Sequence, residues 1–387
     1  MTAPAQTFED PLFQPLQVGG IELKHRIVMA PLTRYRAKED TLDPTEIMAE
    51  YYEQRASDGG LLITEATFIS EEAGGYPQAP GCFTEAHVDH WKQVTDRVHA
   101  RNGHIFLQAW ALGRANPGKS GVKIVSSGDV ADEKTGSGEK PTPLSKEDIK
   151  RYVENYAKSC ELAVKAGFDG IELHGAHGYL IDQFTQSTSN NRTDEYGGSI
   201  ENRNRFALEV LQACADAVGQ ERLGIRLSPY SHFQGMYAPD HVEQFTALSQ
   251  SIHERFPRLG YVHFVESRGD PAKLAAWAVQ SAEHPAAETL DAFRNIFQQG
   301  GKTAFFSAGG YTPAVARDVV KTHGGGVVFG RWFISNPDLP RRLKEDLPLT
   351  PYDRSTFYTH GHEGYTTYPF WSQPATPDNE PAEGVKA

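Results

Sequence analysis

Short apolar segments alternate with helical patterns along most of this chain, and that alternation restricts the fold more than any other feature. Each apolar run lacks polar alternation and is followed by a helical pattern, as expected for the strands of a parallel sheet that helices cover on its outer face. The runs span residues 27–32, 61–67, 104–110, 170–173, 223–228, 261–267, 303–310 and 325–331. The alternation predicts an α/β fold, and eight such units favour a closed (β/α)8 TIM barrel over an open doubly wound sheet.

Three regions lie outside this repeat. Two short apolar runs around Gly19-Gly20 predict an N-terminal β-hairpin, which we interpret as a lid on one mouth of the barrel. Residues 112–142, rich in Gly, Pro and Lys, are too long for a plain connection after the third strand and predict a capping loop at the active site. The tail 373–387 has the composition of a disordered segment. We therefore expect one domain over residues 1–387, with its core at about 12–371.

Composition and charge exclude several classes of function. The net charge is −12 and no dense run of Lys or Arg offsets it, which disfavours nucleic-acid binding. No apolar run approaches the ~20 residues that span a bilayer, and the N-terminus lacks a basic region followed by an apolar core. Cys82, Cys160 and Cys214 are widely spaced, as suits a reducing compartment. We expect a cytoplasmic monomer or homodimer whose partner is a small molecule.

Glycines follow the last two predicted strands, where barrels often bind phosphate. Ala308 is followed by Gly309 and Gly310, and Gly330 is followed by Arg331. Glycine lets the backbone approach an anion, and arginine supplies a permanently charged fork. Either pair alone would be read as a turn, but both pairs at these two strands favour a phosphate site. No GxGxxG follows the first strand, so a Rossmann dinucleotide site is not indicated.

Polar side chains also end three other strands, namely Thr33, Gln108 and Arg226. An isoalloxazine ring needs hydrogen-bond donors and one acceptor along its edge. Gln108 offers both, Arg226 can place positive charge at the N1–O2 edge, and the Thr33 hydroxyl can reach the O4–N5 side. The alternative is that each side chain binds a neighbouring backbone group. Arg226 is the strongest candidate ligand of the three, because burying a guanidinium inside the run GIRLS is costly without an anionic partner.

His174, His177 and Tyr179 crowd together just after the central strand. Closely spaced histidines raise the possibility of zinc and of a metal-dependent barrel hydrolase, but no HExxH motif or nearby Cys pair provides a third ligand. Two ring N–H donors that converge on one point would instead suit a carbonyl or nitro oxygen that gains negative charge during reduction. Tyr179 is then a candidate proton donor, the alternative being an aromatic side chain that anchors the loop.

Five motifs in this chain resemble the old yellow enzyme family of FMN-dependent ene-reductases. They are HGAHGYLIDQFTQSTSNNRTDEYGGSIENRNRF, MAPLTRYRA, FLQAWALGRA, IRLSPY and VVFGRWFISNPDL. The similarity covers nearly the whole chain, from Leu12 to about Trp371. Thr33 stands where one branch of the family has a cysteine, which places this chain in the classical branch, among fungal-like members.

The resemblance implies a role for each candidate residue. His174 and His177 would bind the substrate's oxygen, and Tyr179 would donate the proton. The other implied roles are flavin contact by Pro31, Leu32 and Thr33, pyrimidine binding by Gln108 and Arg226, phosphate binding by Gly309, Gly310, Gly330 and Arg331, and lining of the substrate cavity by Trp110 and Tyr365. Two positions depart from common family patterns: His177 is Asn in many yeast-like members, and Gly310 is often Asn or Arg.

The resemblance also implies an activity. NADPH would reduce a tightly but non-covalently bound FMN, which would pass a hydride to the β-carbon of an α,β-unsaturated aldehyde, ketone or nitroalkene. Such an enzyme would serve fungal secondary metabolism or detoxification. Some fungal relatives with Phe at the Tyr179 position isomerise instead of reducing, and this chain has Tyr. Two alternatives stay open: a metal-dependent hydrolase that uses His174 and His177, and a non-catalytic flavin-binding protein.

Overall fold

The eight predicted strands close into one parallel barrel in the computed structural model, which describes residues 10–132, 136–267, 288–300 and 302–372. The strands of the structure are β1 (Leu16–Val18), β2 (Ile21–Leu23), β3 (Ile27–Met29), β4 (Leu61–Phe68), β5 (His104–Trp110), β6 (Val125–Ser126), β7 (Thr142–Pro143), β8 (Gly170–Gly175), β9 (Leu223–Leu227), β10 (Tyr261–Val265), β11 (Ala304–Ala308) and β12 (Gly326–Phe329). Around the barrel the order is β3-β4-β5-β8-β9-β10-β11-β12, and β12 pairs with β3. The predicted TIM barrel is therefore confirmed.

Helices follow the barrel strands along the chain. They are α1 (Glu46–Arg55), α2 (Glu85–His99), α3 (Lys146–Lys165), α4 (Leu180–Thr185), α5 (Ile200–Val218), α6 (His241–Arg255), α7 (Asp291–Phe297), α8 (Pro313–His323), α9 (Arg331–Ser335) and α10 (Leu339–Lys344). Short 3₁₀ turns lie at Pro11–Phe13, Glu71–Ala73, Gly113–Ala115, Gln220–Arg222, Phe233–Gly235 and Arg354–Thr356. In the part of the chain that the structure describes, none of the helices is long and apolar enough to cross a membrane.

Burial on both faces explains why the barrel strands have nearly continuous apolar sequences. Every residue of β8 is buried. Ile171 and Leu173 belong to the core that the helices share, whereas Glu172 and His174 alternate with them and so face the barrel interior. Alternation therefore decides which polar residues of a strand lie inside the barrel.

The helix α3 begins after Ser145, whose side chain forms a capping box with Asp148. The Ser145 hydroxyl accepts the backbone N–H of Asp148 (3.1 Å), and the Asp148 carboxylate accepts the backbone N–H of Ser145 (3.0 Å). We expect Ser145→Ala to lower the free energy of unfolding by about 1 kcal/mol, because it leaves a helix N–H without its acceptor. Urea unfolding measures this loss. Ser199→Ala is the matched variant, because it removes the same kind of side-chain acceptor at the N-cap of α5.

The N-terminal hairpin closes the barrel mouth at the N-terminal ends of the strands. Strands β1 and β2 pair antiparallel around Gly19-Gly20, as predicted. Val18 and Leu23 pack in one apolar cluster with Leu61 and Tyr261, which are the first residues of β4 and β10. The hairpin is therefore a lid on the mouth opposite to the strand ends that carry the candidate site.

The capping segment after the third barrel strand packs on α4. Its described residues, 112–132 and 136–142, contain the parallel pair β6 and β7. The Ser126 hydroxyl donates to Oε1 of Gln183 (2.8 Å), and the Ser127 hydroxyl donates to its backbone carbonyl (2.7 Å). The tail 373–387, predicted to be disordered, lies outside the described residues.

The strand–helix pattern does not reveal every helix. The helix α4 lies after β8 and has only six residues, all of them buried, which is too few to identify from periodicity. Two short helices, α9 and α10, lie before and after Pro337. The break between them leaves Pro337 outside both helices, where its missing N–H costs nothing.

Candidate active site

The predicted site residues meet at the C-terminal edge of the barrel. In the register of β8 and β9, His174 pairs with Arg226, and in that of β5 and β8, Gln108 pairs with Glu172. Residues 31–33 directly follow β3, which adjoins β12 in the closed barrel. Side chains from strands far apart in sequence therefore surround one mouth, the position of the active site in TIM-barrel enzymes.

A strained turn after β8 positions His177 and Tyr179. His177 has φ of +55°, in the left-handed region that a residue with a side chain rarely adopts. Its backbone N–H donates to the hydroxyl of Ser228 (2.8 Å), and the N–H of Gly178 donates to the carboxylate of Asp182 (2.8 Å). Burial raises the pKa of Asp182 to about 7. Contacts from β9 and α4 therefore hold the turn in its unusual conformation.

The rings of the two histidines and the tyrosine form one cluster with Trp110. The ring centroids of His174 and His177 are 6.2 Å apart, and those of His174 and Tyr179 are 4.8 Å apart. The edge of Tyr179 meets Trp110 at 4.8 Å. Two ring donors and one phenol are thus close enough to act on a single small ligand.

The environment keeps His174 neutral and Tyr179 protonated. Burial, together with the positive charge of nearby Arg226, lowers the pKa of His174 well below its ordinary value. The backbone N–H of Ala176 donates to Nδ1 of His174 (3.4 Å), which leaves the proton of the neutral ring on Nε2. Burial also raises the pKa of Tyr179, so its hydroxyl keeps its proton at neutral pH. Both groups can therefore donate hydrogen bonds into the site.

Arg226 has unused hydrogen-bonding capacity in the barrel mouth. Its Nε is buried and has no hydrogen-bond partner among the residues that the structure describes. Burial lowers the pKa of Arg226, and the opposite charge of Glu172 counteracts that effect. The side-chain amide of Gln108 lies beside them and donates to Glu172 (2.7 Å). A buried guanidinium with a free donor is a site for an anionic or hydrogen-bond-accepting group.

The glycines predicted to bind phosphate lie at neighbouring strand ends. Gly309 and Gly310 follow β11, Gly330 and Arg331 follow β12, and the two strands pair with each other. Gly310 has φ of +74°, a conformation that favours glycine. The guanidinium of Arg331 donates to the hydroxyl of Tyr352 (2.9 Å). Backbone that a ligand can approach and a fixed positive charge are thus placed side by side.

These features fit FMN. The free Nε of Arg226 and the amide of Gln108 suit the pyrimidine edge of an isoalloxazine, whose reduced form carries negative charge. Thr33 is half-buried and lies just after β3. In the barrel, β3 lies between β12, which ends at one of the glycine pairs, and β5, which carries Gln108. The glycine pairs and Arg331 suit a phosphate. One flavin mononucleotide needs both groups of ligands at one mouth.

The residues that the structure describes at this mouth do not supply a third metal ligand for the histidines. Among the described residues, no group of three His, Cys, Asp or Glu side chains is arranged to hold a metal ion. The close ring neighbours of His174 are Trp110, His177 and Tyr179. The donor set therefore favours an oxygen-binding histidine pair over the hydrolase alternative.

The two aromatic residues expected to line the cavity differ in their placement. Trp110 stacks on Phe68 at 4.9 Å and meets Tyr179, within the ring cluster of the site. Tyr365 is fully buried and stacks on Tyr51 at 4.0 Å, on the side of α1. The packing favours another residue of the same C-terminal segment, the exposed Tyr358, as the aromatic that this segment presents at the mouth.

Sequence reasoning missed several residues at the mouth. Tyr35 contacts both Tyr76 (6.0 Å) and Tyr358 (5.7 Å), and Tyr76 stacks on Trp110 (5.7 Å), so these tyrosines form a wall that continues from the ring cluster. No spacing pattern connects residues so far apart in the chain. Glu172 was also missed, although the burial argument applied to Arg226 would have identified a carboxylate inside GIELH.

Comparison with known proteins agrees with this geometry. Residues 11–350 match the model of the NADH:flavin oxidoreductase / NADH oxidase family. The chain is 46% identical to the NADP-dependent oxidoreductase lnbE of Aspergillus flavus over 94% of this chain and 97% of that protein. It is 47% identical to the chanoclavine-I aldehyde reductase fgaOx3 of Penicillium roqueforti, over 93% of this chain and 96% of that one.

A solved structure gives the same result. The old yellow enzyme homologue from Zymomonas mobilis superposes with a TM-score of 0.83 at 36% identity, covering 92% of this chain and 99% of that one. The barrel and the family match define an FMN-dependent oxidoreductase. The chain belongs to the NADH:flavin oxidoreductase / NADH oxidase family, within the old yellow enzymes.

Proposed function

We propose that this protein is an ene-reductase that oxidises NADPH and reduces the activated C=C bond of α,β-unsaturated aldehydes, ketones or nitroalkenes. The observation that carries the proposal is the cluster of His174, His177 and Tyr179 beside the free donor of Arg226. FMN, which Gln108, Arg226, the glycine pairs and Arg331 would hold tightly but without a covalent bond, would supply hydride transfer from NADPH to the alkene.

The protein's own residues bind and polarise the substrate. His174, neutral with its proton on Nε2, donates a hydrogen bond to the carbonyl or nitro oxygen, and His177 supplies the second donor. Hydrogen bonds to that oxygen strengthen as it gains negative charge, so they lower the barrier more than they stabilise the bound substrate. Trp110 and the tyrosine wall of Tyr35, Tyr76 and Tyr358 offer apolar faces to a flat conjugated substrate.

Tyr179 completes the reaction as the proton donor to the α-carbon. Its raised pKa keeps the proton on the phenol until a carbanion-like centre develops next to it. The name of the Aspergillus flavus relative supports NADPH as the reductant, and that of the Penicillium roqueforti relative supports an aldehyde among the substrates. The three cysteines are free and buried, which fits the cytoplasmic location that we propose together with a monomeric or homodimeric state.

A visible absorption spectrum tests the proposal. The purified protein should show a flavin spectrum that bleaches on anaerobic addition of NADPH and returns on addition of 2-cyclohexenone. A protein that bleaches with NADPH but does not recover with any activated alkene would be a flavin-binding protein without ene-reductase activity. A colourless protein that also fails to take up added FMN would contradict the cofactor assignment.

Tyr179→Phe should separate the two halves of the reaction. We expect bleaching by NADPH at the wild-type rate, and reoxidation by 2-cyclohexenone slower by about 10²-fold, because only the second half needs the proton. Anaerobic stopped-flow measures both. Tyr76→Phe is the matched control, since it removes a phenol of the neighbouring tyrosine wall and keeps the aromatic ring that stacks on Trp110. Wild-type reoxidation in Tyr179→Phe would show that another group delivers the proton.

A further inference from the structure

Glu172 is a carboxylate that the reaction just described does not use, although it lies directly beneath the site. It is fully buried inside the barrel, on the same face of β8 as His174 and deeper by one inward-facing position. Three donors converge on it: the amide of Gln108 (2.7 Å), the hydroxyl of Tyr261 (3.0 Å) and Nδ1 of His263 (2.8 Å). Such a complete set of partners stabilises the charged carboxylate.

The charge of Glu172 is maintained in spite of its burial. Burial alone would raise the pKa of this carboxyl, but the hydrogen bonds from His263 and Gln108 and the positive charge of Arg226 together hold it below its ordinary value. Burial lowers the pKa of His263, which favours the neutral ring that donates from Nδ1. The barrel therefore encloses one negative charge in an interior where an isolated carboxylate would be strongly disfavoured.

Two of the neighbours of Glu172 are the residues assigned to the pyrimidine edge of the flavin. The bond from Gln108 fixes which way its amide faces, because the nitrogen is committed to Glu172. Nε of Arg226 has no hydrogen-bond partner in the described part of the chain, and the negative charge of Glu172 counteracts the effect of burial on the pKa of Arg226. Both pyrimidine ligands are thus oriented or balanced by the same buried carboxylate.

We propose that Glu172 is a positioning residue that orients Gln108, balances the charge of Arg226 and, through its own negative charge, lowers the reduction potential of the bound flavin. This inference rests on the proposed function, because it presumes that FMN occupies the mouth. A reduced flavin carries negative charge at its N1–O2 edge. A fixed anion nearby disfavours that state and offsets part of the attraction of Arg226.

The test compares the reduction potentials of the wild type and Glu172→Gln, both loaded with FMN. Glutamine has nearly the same shape but no charge, so the equilibrium between reduced and oxidised flavin should shift toward the reduced form by about tenfold, or about 30 mV for this two-electron couple. Anaerobic equilibration with a reference dye measures the shift. An unchanged potential in Glu172→Gln overturns the proposal.

Tyr261→Phe is the matched control. It removes one hydrogen bond to Glu172 but keeps the charge and the ring, which stacks on Phe306 at 4.4 Å. The equilibrium between reduced and oxidised flavin in this variant should stay within about twofold of that in the wild type. A shift in Tyr261→Phe as large as in Glu172→Gln would assign the effect to hydrogen bonding and overturn the role of the charge.

A second variant covers the case in which Glu172→Gln does not fold. Glu172→Asp keeps the charge but is too short to reach Gln108 and His263 together, so apoprotein should bind FMN about tenfold more weakly by fluorescence titration. Wild-type FMN affinity in this variant would contradict the positioning role. Failure of the wild type itself to bind FMN would instead refute the proposed function, so the two failures are distinguishable.

Discussion

The double substitution His174→Ala with His177→Ala is expected to lower kcat/KM for 2-cyclohexenone by about 10³-fold. Removing a single preorganised donor to a developing oxyanion costs on the order of 10² to 10³ in rate, and the two rings lie 6.2 Å apart at one site. The effects of the two substitutions will not multiply fully, because either histidine alone still orients the oxygen. Steady-state turnover with NADPH in excess measures the loss.

Binding titrations identify the cause of that loss. Phenols present an oxygen to the same donors, so their affinity should fall in the double variant. His90→Ala is the control, since His90 lies on α2 next to Asp43 and outside the barrel mouth. If phenols and 2-cyclohexenone bound the double variant as tightly as the wild type, the histidine pair could not be the oxygen-binding site.

The second large expected effect is the contribution of His25 to the pH dependence of the free energy of unfolding. Burial lowers the pKa of His25 to about 4 from an ordinary value of 6.5. Its hydrogen bonds fit the neutral ring, because the N–H of Ile27 donates to Nδ1 (3.3 Å) and Nε2 contacts the hydroxyl of Ser57 (3.0 Å). The folded state therefore binds fewer protons than the unfolded chain between about pH 4 and 6.5.

Because the unfolded chain binds more protons, acid destabilises the folded protein. The contribution of His25 is complete above about pH 6.5 and is lost as the pH falls toward 4, by about 3 kcal/mol. Between about pH 7.5 and 4, the free energy of unfolding should fall in both proteins. We expect the fall to be about 3 kcal/mol smaller in His25→Gln than in the wild type. Urea unfolding across the range measures the difference, in which the other titrating groups cancel.

Ser57→Ala is the control for the His25 experiment. It removes the hydroxyl that Nε2 contacts but leaves the histidine buried, so it should lower stability by about 1 kcal/mol at neutral pH while keeping most of the pH dependence. Parallel curves for the wild type and His25→Gln would mean that folding does not change the pKa of His25, and would contradict the prediction.

Local sequence patterns predicted most of the fold and part of the site. Eight apolar runs were sufficient for the barrel, since a strand buried on both faces must be apolar whatever its neighbours are. The N-cap at Ser145 is equally local. Arg226 was predicted to bind an anionic group because a charge inside an apolar run must be compensated, and the structure adds the opposite charge of Glu172 near it.

Long-range contacts account for what the sequence did not predict. The placement of Tyr365 is one example. Arg34 donates to the backbone carbonyls of Phe357 (2.9 Å) and Gly364 (2.8 Å), which ties the C-terminal segment to the end of β3. That attachment buries Tyr365 against Tyr51 and leaves Tyr358 exposed. No pattern within the segment distinguishes the two tyrosines.

By itself, the sequence determined the barrel, the strand ends that carry polar chemistry and the resemblance to the old yellow enzymes. Only the tertiary structure decided which strand ends touch, how His177 is held at a positive φ, and that Glu172 accepts a hydrogen bond from Gln108 near the charge of Arg226. The physical reason is distance along the chain. Burial and capping act on residues within a few positions of each other, whereas register and barrel closure join side chains that hold no local information about one another.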